Sequence, residues 1–228
     1  MDILVRYIMK KVLVFIFFIL ISGCEIDKDN MIIEGQIIDL KNSKIYLAVV
    51  DEGKIIDSAN VIDGKFTLKT YINEPIEMSL ILKEKNSGEK FNFFSEPSSI
   101  LFRSSKEKFI FNAQIQNSKL FTEFKNIENQ IGKFNEKDLE LLAEQIKLSV
   151  KGNQKKYDSI DGERIKLNQK KILFLVNYSL NNNSSPVSAF IIHKYKESIN
   201  KNYITKVYDN FSDELKSSYY GKKLISNL

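Results

Sequence analysis

The residue with the plainest chemistry in this chain is Cys24, the only cysteine. It closes the run Ile21-Ser22-Gly23-Cys24. Ahead of it stand Arg6, Lys10 and Lys11, then an unbroken apolar stretch from Val12 to Ile21. A basic start, a short apolar middle and small residues beside the cut form the layout of an exported signal. Cleavage between Gly23 and Cys24 would leave a terminal cysteine whose thiolate can be diacylglycerated. The reading is a bacterial lipoprotein signal over residues 1–23, with Cys24 as the lipidated residue. The apolar stretch is about half the roughly 20 residues that a membrane-crossing helix needs. Arg6 interrupts any extension toward the start. One acyl chain anchors only marginally, whereas two or more anchor stably. Met9-Lys10-Lys11 is the more usual opening, so Met1 and Met9 both stand as possible starts.

Other chemistry has little to work with. Cys24 is consumed by the anchor, which leaves no disulfide, no CxxC pair and no second thiol nucleophile. His193 is the sole histidine. A His-rich metal centre is therefore excluded, and one candidate base is left for any triad. A base needs a nucleophile and an orienting partner within hydrogen-bond reach, and nothing near His193 in sequence proposes them. The pairs Asp158/Asp161 and Asp138/Glu140 have ordinary surface spacing, and a glycosidase pair is recognised only by geometry. The expectation is a protein that is not an enzyme and uses no cofactor and no metal.

Charge points the same way. Lys+Arg number 34 and Asp+Glu 29, a net +5. Three cations (Arg6, Lys10, Lys11) and one anion (Asp2) precede Cys24, so the remainder carries +3. After the signal the arginines are Arg103 and Arg164, and lysines are spread throughout. Spread lysines are a solvated surface, and nucleic acid is not an expected partner. Glu25, Asp27 and Asp29 follow the cysteine directly. Residues 24–30 read either as a solvated tether or as an acidic export tag.

The elements that must carry these residues fall into two regions. From residue 31 to 117, short alternating runs separated by turns predict eight strands. They are Met31–Leu40, Lys44–Val50, Lys54–Ile62, Lys65–Leu68, Glu77–Lys83, Lys90–Phe94, Ser99–Arg103 and Lys108–Gln116. Asp63-Gly64 between two such runs predicts a type I′ hairpin turn, which needs positive φ at both central residues. An antiparallel sandwich and an open barrel both fit. Phe91, Phe93, Phe94, Phe102, Phe109 and Phe111 read as core. From 118 to 228 the period changes to three and four. Phe121, Phe124, Ile127 and Ile131 predict one helix, and Leu139, Leu142, Ile146 and Val150 a second. Ile165 to Ser179 predicts a third. Ser185-Pro186 reads as N-cap and first helical residue. Ser212 with Asp213 and Glu214 is another start, because acidic groups suit a helix N-terminus. A last short helix holds Tyr219, Tyr220, Leu224 and Ile225. The fold class is α+β: an N-terminal antiparallel β-domain, then a C-terminal helical domain.

The strand region resembles the envelope domain known as domain of unknown function 4369. The resemblance rests on Ile33-Glu34-Gly35-Gln36-Ile37, Ile45-Tyr46-Leu47, Ile56-Asp57-Ser58-Ala59 and Asp63-Gly64-Lys65-Phe66. The helical region is similar to what usually follows it, at Asn183-Ser184-Ser185-Pro186-Val187-Ser188-Ala189-Phe190 and Ser218-Tyr219-Tyr220-Gly221-Lys222. In many similar proteins a thioredoxin-like domain with a CxxC motif comes next. That exchange chemistry needs a thiolate and a resolving thiol, so the resemblance implies the non-catalytic part alone. The functional expectation is a lipid-anchored envelope protein, placed at the outer membrane by the likeness of the acidic run after Cys24 to an export tag, that binds or scaffolds beside a separate thioredoxin-like partner or an envelope assembly. The alternative is capture of a small ligand in an apolar groove between sheet and helices. Tyr203, Tyr208, Tyr219 and Tyr220 read as half-buried helix packing or a partner surface.

Overall fold

The computed structural model describes residues 29–84 and 87–226. Residues 1–23 and Cys24 lie outside the described residues. Eight strands come first: β1 Met31–Ile38, β2 Asn42–Val49, β3 Lys54–Ile62, β4 Lys65–Thr70, β5 Glu77–Glu84, β6 Ser87–Phe94, β7 Ser99–Ser105 and β8 Gln114–Gln116. The helices follow: α1 Lys119–Val150, α2 Gln154–Asn181, α3 Pro186–Tyr195, a 3-10 turn Lys196–Ser198, α4 Lys201–Asn210, α5 Asp213–Ser217 and α6 Tyr219–Ile225. The α+β order read from the sequence is the order observed.

The strands form one curled sheet, a half-barrel, in the order β6-β5-β2-β3-β4-β1-β7-β8. It is mostly antiparallel, but β1 and β7 pair in parallel, from Ile32 beside Ser99 to Ile38 beside Ser105. Alternation sets the inner face. Met31, Ile33 and Ile37 of β1, Leu68 of β4, Ile100 and Phe102 of β7, Ile45 and Leu47 of β2, and Leu80 and Leu82 of β5 all point into the core. The Asp63-Gly64 turn has φ of 49° and 75°, which is the primed turn its sequence predicts. Ile62 beside Lys65 is the one pair that joins β3 to β4. Past it the two strands splay, and each half of the sheet curls toward the other. The edge this leaves on β3 is blunted in two ways. The register slips between Leu47 and Ala48, so Ile56 bulges, and Asp57 Oδ1 takes the Ser58 N–H at 2.7 Å. Bulges and charges of this kind discourage a foreign strand.

Two features differ from the sequence reading. Lys108–Gln116 is a strand only at Gln114–Gln116; before it the chain turns. Phe109 is fully buried, its carbonyl accepts Ser104 Oγ at 2.5 Å, and Asn112 N–H reaches back to Lys108 O at 2.8 Å. One buried anchor and a closed turn replace the predicted alternation, and Phe111 is 86 % exposed rather than in the core. The second difference is α1. Phe121 to Val150 is not two helices but part of one of 32 residues, about 48 Å long at 1.5 Å per residue. Gly132 sits inside it with open space around its Cβ position, so nothing breaks the helix there.

The caps follow the expected chemistry. Ser118, Ser185 and Ser212 each accept a backbone N–H of the helix they start, and Pro186 opens α3. The α1 N-terminus also receives Glu96, whose oxygens accept Lys119 N–H at 2.7 Å and Leu120 N–H at 3.2 Å. A carboxylate there satisfies orphan donors and favours the dipole. The Asn181–Ser184 run is the α2–α3 turn. Asn182 Nδ2 donates to Tyr178 O, and Asn183 Nδ2 to Asn210 O.

One buried cluster runs from Met31 in β1 to Leu224 in α6. The first half of α1 lies on it through Phe121, Phe124, Ile127 and Ile131, and α2 joins it through Leu175 and Val176. Between these points the two helices extend past the body as a hairpin arm. In that arm Leu141, Gln145 and Ile160 are buried outside the main cluster. Gly152, at φ 65°, turns the chain at its tip.

Candidate functional site

Three groupings of polar or apolar side chains stand out. The first lies where the sheet end meets α3 and α6. Asp51, in the β2–β3 turn, accepts Lys223 Nζ at 2.9 Å, and Lys223 also reaches Tyr219 OH at 2.6 Å. His193 Nε2 stands 3.9 Å from the same Asp51 oxygen, beyond hydrogen-bond distance. The imidazole lies against Tyr220, ring centroids 5.6 Å apart, and its Nδ1 is buried with no hydrogen bond among the described residues. Burial, helped by Lys196 and Lys223 and opposed by Asp51, pushes the His193 pKa down. This is a neutral packed ring. Asp51 is nearby, but no nucleophile hydrogen-bonds to it among the described residues, which is the arrangement a base would need.

Under the same helices lies Glu77, 5 % exposed on β5. Its backbone N–H donates to Tyr220 OH at 3.1 Å, and its carboxylate accepts Asn92 Nδ2 at 3.2 Å. Burial raises its pKa above the ordinary 4.5, against the pull of Lys194 and the Asn92 bond. A raised folded-state pKa means that the charged form is the costly one. The stability Glu77 contributes is full below about pH 4.5 and is lost as pH rises through its folded-state value. Glu77→Gln keeps an oxygen for Asn92 and cannot ionise. It is therefore expected to melt higher than wild type at neutral pH and to match it in acid. Thermal melts across that range check this; a variant less stable than wild type at pH 7 would show that the Lys194 attraction outweighs burial.

The second grouping is on the arm. Arg164 grips Asp138 with two hydrogen bonds, at 2.8 and 3.1 Å, and donates to Gln145 Oε1 at 2.9 Å. Gln145 donates in turn to Asp161 at 3.1 Å. The Arg164 hydrogen bonds, with some help from Lys171, hold the Asp138 pKa down against a small burial cost. The carboxylate pairs read as ordinary surface spacing are split between different contacts. Asp138 and Asp161 belong to one chain of contacts, while Glu140 pairs with Lys137 at 2.8 Å and Asp158 accepts Gln154 Nε2 at 2.7 Å. The network borders a cleft of about 480 Å³ lined also by Phe134, Ile165 and Lys171. A salt bridge with both carboxylate oxygens occupied orders the arm and leaves Asp138 poorly placed for proton transfer. Gln145 had no readable signal, because the face read as buried was that of Leu139, Leu142, Ile146 and Val150; Arg164 had only its rarity.

The third grouping is apolar. Leu139, Ile146 and Val150, predicted as a packed helix face, are exposed by 64, 57 and 85 %. Leu141 and Gln145 face α2 instead, about a third of a turn away. Ile165, predicted to pack, is exposed as well. Of the tyrosines, Tyr220 is buried, Tyr203 is exposed, and Tyr208 and Tyr219 pack partly buried against the core. A further polar contact is structural. Glu123 of α1 accepts Tyr178 OH and Ser185 Oγ, the latter at 2.6 Å. Burial first, then Glu123, raises the Tyr178 pKa, so its proton stays to bond α2 to α1, while Ser185 Oγ ties the start of α3 to the same carboxylate.

The comparisons bear on the sheet. Residues 31–124 match the family model of the domain of unknown function DUF4369. This segment is a DUF4369 domain. The match runs past the strands into α1 and ends at Phe124. The DUF4369 domain thus includes the first helical rings that pack on the sheet, Phe121 on Phe91 at 5.9 Å and Phe124 on Phe94 at 6.1 Å. No curated protein and no solved structure matches the chain. Among the described residues, no helix is long and apolar enough to cross a membrane.

Proposed function

We propose that this protein is a lipid-anchored component of a bacterial cell envelope that works by binding a protein partner rather than by catalysis. The anchor reading is supported by the Arg6-to-Cys24 layout, with acyl chains on Cys24. The observation that carries the binding reading is the arm. By 100° per residue, Leu139, Leu142, Ile146 and Val150 lie within an arc of about 80° that also holds Phe121 and Phe124. Ile127 and Ile131 of the docking stripe lie outside this arc, but past the body its Leu139, Ile146 and Val150 stand in solvent, with Leu142 half-buried among them. An apolar stripe left in water marks an interaction surface, and its helical geometry suits a partner helix laid along it. The outer membrane is the proposed location, and a thioredoxin-like envelope protein is the first partner class to test. Support for a non-catalytic role comes from the carboxylates singled out above, which are held in structural contacts.

Ligand capture in a groove between sheet and helices is less well supported. That junction is filled by Phe94, Phe124, Phe190 and Tyr220, whose centroids lie 5.1 to 6.3 Å apart. The test is a pull-down from membranes with the wild-type chain, with Leu139→Glu/Ile146→Glu and with Cys24→Ala. The wild type should recover a defined partner. The arm variant should lose it without a change in melting temperature, because both side chains are exposed. The Cys24→Ala chain should no longer fractionate with the bilayer. Equal partner recovery by wild type and arm variant would refute the binding face.

A further inference from the structure

At the end of the sheet where β1 and β7 finish, three neighbouring turns expose apolar side chains. Ile62 stands beside the Asp63-Gly64 turn, Ile38 closes β1, and Ile110 and Phe111 form the tip of the turn before β8. Their exposures are 64, 58, 50 and 86 %. Backbone hydrogen bonds join the turns into one rim, Ile37 N–H to Gly64 O at 2.7 Å and Lys106 N–H to Ile38 O at 2.9 Å. The rim also carries Lys41, Lys65, Lys106 and Lys108, set among Asp39, Asp63 and Glu107. Lys108 Nζ lies 6.0 Å from the Phe111 ring. Phe109, fully buried directly beside this tip, holds the turn in place. Keeping a phenylalanine and an isoleucine adjacent in water on an anchored turn costs free energy that folding alone does not recover.

We propose that this rim rests in the headgroup layer of the bilayer, with Phe111 and Ile110 as the inserted residues. Two arguments select a lipid surface. Apolar tips among lysines suit the interface, where the rings enter the acyl boundary and the lysine stems reach back to phosphate. The second argument rests on the proposed anchor. Residues 24–30 can span at most about 24 Å, and β1 from Met31 to Ile38 is about 23 Å long. A sheet lying along the membrane therefore brings the Cys24 lipid and the rim to one plane. The two acyl chains on Cys24 already anchor stably, so the rim contact would orient the sheet rather than hold it to the bilayer.

The chain contains no tryptophan, so Phe111→Trp is a single reporter of depth, and Tyr203→Trp on α4 is its control. Each full-length lipidated variant is placed in vesicles of phosphatidylethanolamine and phosphatidylglycerol carrying brominated acyl chains. The Phe111→Trp emission should shift to the blue and lose most of its intensity to bromine, while Tyr203→Trp keeps its emission. If the chain floats with the vesicles but Phe111→Trp emits as in water, the rim proposal fails and the anchor stands. If the chain does not float, both fail. A blue shift without lipid that grows with protein concentration would assign the rim to a second copy and overturn the proposal.

Discussion

Replacing Gly221 by alanine is expected to destabilise the protein by about 3 kcal/mol or more, although the residue lies within a helix. Helix propensity alone argues the opposite, since alanine gains about 1 kcal/mol over glycine in a helix interior. Close approach decides the sign. A Cβ on Gly221 would sit 2.1 Å from Leu215 O and 2.7 Å from Lys216 O. Both are backbone atoms that cannot rotate away, and Leu215 O already accepts Ser218 Oγ at 2.7 Å. To relieve the overlap, α6 must move off α5. That movement pulls Tyr220 from the Glu77 N–H and Lys223 from Asp51, the contacts that tie the last helix to the sheet. At roughly 2–4 °C per kcal/mol for a chain of this size, the melting temperature should fall by on the order of 10 °C. A variant that melts at or above wild type would rule out this close-packing account.

Phe190→Ala should cost a similar amount, about 3–5 kcal/mol by the general behaviour of buried phenylalanines. Phe190 is 2 % exposed. Its ring meets Phe94 of β6 at 5.6 Å, Phe124 of α1 at 5.7 Å and Tyr220 of α6 at 5.1 Å. It is the point where the sheet, the long helix and the terminal helix touch one side chain. Its removal leaves a cavity among large rings held by different elements, which cannot all close in on it. Urea denaturation of Phe190→Ala, Phe94→Ala and the double variant gives the coupling. Neighbours sharing a cavity should be non-additive by about 0.5–3 kcal/mol. Additive losses, or a loss below about 1 kcal/mol for Phe190→Ala, would show that the junction is looser than its ring contacts indicate.

Local chemistry was legible where a single stretch of chain decides the outcome. The Asp63-Gly64 turn needs only its own two dihedrals. The serine caps need only the N–H groups two or three residues on. Alternation in β1 and β7 marks a face whatever strand lies beside it. The misreadings have a common cause: periodicity says that a face exists and is silent about what covers it. Leu139, Ile146 and Val150 keep the spacing of a buried helix face, yet the body ends before α1 does. Phe109 and Phe111 alternate like strand residues, but once Phe109 is buried the backbone closes into a turn and puts Phe111 outside. Gly221 looks like a helix-weakening residue until the α5 carbonyls are seen against it. Arg164 and Gln145, 19 residues apart in sequence, meet from facing helices, and no spacing rule links them.

The sequence by itself determined the order of strands before helices, the turn at Asp63-Gly64, the helix starts at Ser185 and Ser212, and the resemblance of the sheet to the DUF4369 family. Each depends on contacts between residues close along the chain. Only the tertiary structure decided that β1 pairs in parallel with β7, that α1 and α2 extend as an arm with one face uncovered, and that Phe111 stands in solvent. Those outcomes depend on which distant surfaces meet, and burial is a property of the pair of surfaces rather than of either segment alone.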